Sequence, residues 1–76
     1  MTIIFVVINA ERQFLGAFED EETAYESVKL SYHATHAKIN WRHESVNLSI
    51  VDVVTDGVKK EYHILRQQVF EIPEHL

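Results

Sequence analysis

The stretch Val46-Asn47-Leu48-Ser49-Ile50-Val51-Asp52-Val53-Val54-Thr55-Asp56-Gly57-Val58-Lys59-Lys60-Glu61-Tyr62-His63-Ile64-Leu65 decides the fold. Asp56-Gly57 separates two runs rich in β-branched and aromatic residues, and this dipeptide tolerates the positive φ angles that a two-residue hairpin turn requires. Strands are predicted over 46–55 and about 58–70. Pairing Thr55 with Val58 and counting outward puts Val51 opposite Tyr62, Ile50 opposite His63 and Leu48 opposite Leu65. Alternation then sorts the apolar side chains into two sets on opposite faces. One holds Val46, Leu48, Ile50 and Leu65; the other holds Val51, Val53, Val58, Tyr62 and Ile64.

Upstream, residues 2–9 are apolar at nearly every position, which predicts a strand in the sheet interior. The polar Asn9-Ala10-Glu11-Arg12 reads as a turn, and residues 13–18 as a second strand forming a hairpin with the first. Gly16 within it predicts a bulge or a close approach by the helix. Asp20 is placed as a helix N-cap and Glu21 and Glu22 in the first turn, where carboxylates complement the helix dipole. The helix is expected to run to about residue 37, with Ala24, Val28 and Ser31 along one face beside Tyr25 and Tyr32. Residues 38–45 lose the helical period and read as a connection across the sheet end, with Trp41 folded down as a cover. The resulting expectation is an α+β fold of ββαββ order: a four-stranded, mainly antiparallel sheet with one helix packed on one face. The tail contains Pro73, which ends any strand, and the apolar Phe70, Ile72 and Leu76, which dock or hang free.

A single helix covers one sheet face. The second apolar set must therefore meet another chain, be covered by the tail, or be realigned by a bulge near Ile50-Val51. On the first alternative Val51, Val53, Tyr62 and Ile64 form a self-association surface, and the chain is a homodimer.

The 76 residues allow one core, hence a single domain over 1–76. Without cysteine the chain needs no oxidising compartment, and a cytosolic setting is expected. The six apolar residues that follow Thr2 have no basic residue before them and fall far short of the roughly 20 needed to cross a bilayer, so neither a leader peptide nor a membrane role is expected. Seven basic against twelve acidic side chains give a net charge of −5. This sign disfavours nucleic acid as a direct partner and favours a protein with a basic surface.

Five histidines invite a metal reading, since His33 and His36 lie three apart on the expected helix and His43 follows. Two imidazoles do not close a site, however, and His-Glu-x-x-His is missing, so no metal or other cofactor is expected. The acidic group Glu19, Asp20, Glu21, Glu22 and Glu26 is explained as a capped helix start, which is also a rigid surface for a basic partner. With two glycines, no cysteine and no Gly-x-Ser-x-Gly, phosphate loops and the familiar nucleophile motifs are excluded. Asp52 and Glu61 face each other across the hairpin but read as solvated side chains without a pocket to desolvate them. Among the aromatics, Trp41 beside Arg42 is the candidate interface anchor.

The segment Phe5-Val6-Val7-Ile8 through Gly16-Ala17-Phe18-Glu19-Asp20-Glu21-Glu22-Thr23-Ala24 resembles the hairpin-then-helix opening of small proteins encoded by bacteriophages, over about a third of the chain. That resemblance implies a non-enzymatic inhibitor or modulator of a host protein, in the bacterial cytoplasm, and carries over no functional residue. The expected function is a protein-binding module acting through the acidic helix start and an apolar sheet face. The alternative is a small metal-dependent enzyme or ligand binder using His33, His36 and His43.

Overall fold

The computed structural model describes residues 2–33 and 35–69. Its elements follow the order β1 (Thr2–Ile8), β2 (Phe14–Phe18), α1 (Glu21–Leu30), β3 (Lys38–Ser45), β4 (Leu48–Thr55) and β5 (Val58–Val69). The strands form one five-stranded sheet in the order β2-β1-β5-β4-β3, with every neighbouring pair antiparallel. The α+β class and the single helix stand as read from the sequence, but the strand count is five, not four.

The added strand is β3, in the segment read as a connection. Its residues alternate Lys38, Asn40, Arg42 on one face against Ile39, Trp41, His43 on the other, and it pairs with β4 from Lys38↔Val54 to His43↔Ser49. The helix is correspondingly shorter than expected. Ser27 and Ser31 hydroxyls donate back to the carbonyls of Ala24 and Ser27. Such bonds compete with the helical ladder, and the chain turns away after Leu30.

Both hairpins form. Asp56 and Gly57 take φ of 49° and 78°, and β4 meets β5 with Val51↔Tyr62, Ile50↔His63 and Leu48↔Leu65, the predicted register. In the first hairpin Asn9 Oδ1 accepts from the backbone N–H groups of Glu11 and Gln13 at 3.0 and 2.9 Å, which organises the turn. Gly16 pairs with Val7 while Phe14 pairs with Ile8, so Leu15 is the extra residue of a bulge.

The helix start is set by Asp20, whose Oδ1 accepts from the backbone N–H and the hydroxyl of Thr23, both at 2.7 Å. From there α1 lies over β1, β2 and β5, and its Ala24 and Val28 bury against Val7, Val51, Val53 and Ile64. This corrects the assignment of the two apolar sets. Val51, Val53 and Ile64 are 0%, 0% and 1% exposed beneath the helix, with Tyr62 packed at their margin. They are the core and cannot serve as a self-association surface. The small side chains of Ala24 and Val28 permit close approach there, and among the described residues no helix or strand packs over the opposite face. The tail from residue 70 onward, and with it the expectation for Phe70, Ile72 and Leu76, lies outside the described residues.

Candidate functional site

Strand pairing arranges the open face in rows. Ala17, Val6, Leu65 and Leu48 lie side by side across β2, β1, β5 and β4. The next row is Phe14, Ile8, His63, Ile50 and Arg42, crossing all five strands. Phe14 at its β2 end is 66% exposed. Toward the β4–β5 turn the face becomes charged, with Asn40, Asp52 and Glu61 in one row. No element among the described residues packs over these rows.

The charged end is an ion-pair network. Asp52 and Glu61 are directly opposed, an arrangement that would repel if left unpaired. Arg42 spans both: its Nε donates to Asp52 Oδ2 at 2.7 Å and its Nη2 lies 3.5 Å from Glu61 Oε1, while Nη1 donates to Glu44. Lys59 Nζ sits 3.6 Å from a carboxylate oxygen of each. The hydrogen bond from Arg42, helped by the charges of Arg42 and Lys59, holds the Asp52 carboxyl below its ordinary 3.8 against the opposing cost of burial. An ionised carboxylate so paired is the opposite of a general acid with a raised pKa, and the network therefore fixes side chains rather than moving protons.

Across the sheet, Glu21, Ser49 and His43 meet beneath the helix start. Ser49 Oγ donates to Glu21 Oε1 at 3.0 Å and lies 3.0 Å from His43 Nδ1, which is itself 3.2 Å from Glu21 Oε1. The residue types are those of a hydrolase triad, but the geometry is not. In a relay the imidazole touches nucleophile and acid through different nitrogens; here both contacts fall on Nδ1. Ser49 is also only 2% exposed. The group is a clamp that ties α1 to β3 and β4. Beside it, Tyr25 stacks on Trp41 with ring centroids 4.5 Å apart, and Tyr32 and Tyr62 join through their hydroxyls. Burial first, then the Tyr32 hydrogen bond and nearby negative charge, push the Tyr62 hydroxyl up to about 12.

The residues singled out in the sequence are thus divided. Asp20 is the cap, Glu21 is engaged by Ser49, and Glu19 and Glu22 are exposed with Glu26 half-buried. Trp41 lies on the helix side and Arg42 on the open side, as neighbours in a strand must, so they do not form one anchor. His33 and His36 stand in the turns after α1 and His43 is held in the clamp. Among the described residues no group of three or more His, Cys, Asp or Glu is placed to hold a metal ion, and no helix is long and apolar enough to cross a membrane. The Arg42 network and the Ser49 clamp were missed by the sequence reading. Alternation over 38–45 is the signal that exposes both, because it places Arg42 and His43 on opposite faces of a strand. Comparison of the chain with protein-family models, with curated proteins and with solved structures finds no match.

Proposed function

We propose that the chain is a non-enzymatic protein-binding module, an inhibitor or modulator of another protein, that engages its partner through the open sheet face. The observation that carries this reading is the apolar row Ala17, Val6, Leu65 and Leu48, joined by Phe14, Ile8 and Ile50 of the next row, on the side of the sheet away from α1. Apolar surface gathered in one place and rimmed by fixed charge has the anatomy of a protein interface, with a greasy centre and a polar margin. The Arg42–Asp52–Glu61 network supplies that margin and orients charge before the partner arrives. The acidic helix start is separate from it, and with a net charge of −5 it favours encounter with a basic surface.

The test is affinity capture of a partner from a host lysate with the wild-type chain and with Val6→Lys and Leu65→Lys, each of which sets a charge in the first apolar row. The expected result is a specifically held protein that both variants release while keeping the wild-type circular dichroism. A partner that both folded variants retain at full strength would exclude the open face.

A further inference from the structure

We propose that β3 is a self-association edge, through which two copies of the chain join antiparallel, Trp41 against Trp41, into one continuous sheet. The sheet order leaves two free edges, β2 and β3. β2 has five residues and its pairing is broken by the bulge at Leu15, which makes it a poor template. β3 has eight residues, contains neither glycine nor proline, and keeps register with β4 from Lys38 to His43; its own shift comes only at Glu44, next to the strand's end, where the carboxylate is held beside Arg42. Its outward backbone groups meet no strand among the described residues. α1 reaches β3 through Tyr25 on Trp41 and Glu21 on His43, contacts made on the helix-side face of the strand and not along its outward backbone edge.

Symmetry and charge select the register. A two-fold axis perpendicular to the sheet keeps the open faces on one side, so opposed residues must share a face. An axis through Asn40 would set Lys38 against Arg42, and one through Arg42 would set that residue against itself; both oppose like charges. An axis through His43 would set Arg42 against Glu44 but would overlap only residues 41–45 of the strand, against 38–44 for an axis through Trp41. An axis through Trp41 sets Lys38 against Glu44 twice, Asn40 against Arg42 twice, and Ile39 against His43. Lone edge strands are commonly guarded by lysines. Here the charges of Lys38 and Glu44 differ in sign and become complementary when the strand is reversed. Neither Val6 nor Leu65 of the open face enters this contact, so it stands or falls independently of the proposed function.

A strand-edge contact is small, so the association is concentration-dependent. Sedimentation equilibrium of the full chain from about 10 μM to about 1 mM is expected to show the mass rising from 8.9 kDa toward twice that value. Emission from Trp41, the sole tryptophan, shifts with the same midpoint. Lys38→Glu and Glu44→Lys each abolish the rise, and the double variant K38E/E44K restores it by exchanging the signs of the pair; circular dichroism and thermal melts confirm that all are folded. A monomer throughout, a dimer indifferent to both single variants, or a double variant that stays monomeric would overturn the proposal.

Discussion

Ile64 and Leu65 are chain neighbours with opposite fates, and their difference measures which sheet face is sealed. Ile64 is 1% exposed against Ala24 and Val28, whereas Leu65 points to the open face between Val6 and Leu48. Truncating a packed isoleucine loses both transfer free energy and the contacts lining the cavity left behind. Ile64→Ala is therefore expected to cost about 2–5 kcal/mol. Leu65→Ala removes a side chain that still touches water and should cost less than about 2 kcal/mol. Urea titration of both variants checks this; equal losses would mean that the second face is sealed as tightly as the first. The same alternation was readable from the sequence, and the hairpin register with it, because Asp56-Gly57 leaves only one way to count outward. Which apolar set the helix covers was not readable. Period-2 patterning distinguishes two faces without naming them, and β1, apolar on both, offers no tie-break.

At the scale of elements, α1 is ten residues long and would be marginal alone. It is held by its core face and by three side-chain ties, from Glu21 to Ser49, from Tyr25 to Trp41, and, just past its end, from Tyr32 to Tyr62. The cap was legible because Asp20-Glu21-Glu22-Thr23 is a local signal. The clamp was not, since Ser49 and Glu21 are brought together only by tertiary packing. β3 was hidden for another reason: it is an edge strand whose open face is polar, so Lys38, Asn40 and Arg42 masked the alternation of Ile39, Trp41 and His43. The Asp20 carboxyl is held below its ordinary 3.8 by the Thr23 hydroxyl first and the Thr23 N–H second. Its contribution is complete above that value and is lost as pH falls through the lower, folded-state value. Asp20→Ala should lower Tm by a few degrees at neutral pH, and the gap to wild type should close in acid. A gap of the same size at every pH would show that the cap acts through something other than its charge.

For the molecule as a whole, Asp52 and Tyr62 mark the two ends of the pH range in which the sheet keeps both of its polar ties. Asp52 has a depressed folded-state pKa because Arg42 bonds its ionised form. The stability it supplies is present above 3.8 and disappears as acid protonates it, releasing Arg42 and loosening the β3–β4–β5 end of the open face. Tyr62 behaves in the opposite sense. Its neutral hydroxyl is favoured by burial and by Tyr32, and the folded-state value of about 12 stands above the ordinary 10.0. Its contribution is therefore complete below pH 10 and is lost between there and about 12, as the unfolded chain ionises more readily than the folded one. Tm measured against pH should form a plateau with an acid shoulder that Asp52→Asn diminishes and an alkaline shoulder that Tyr62→Phe diminishes. The two effects are expected to add, because the side chains lie on opposite faces of the sheet and share no partner. A double variant that departs strongly from the sum would reveal coupling between the faces, so that a partner docking on the open face could be felt at the helix.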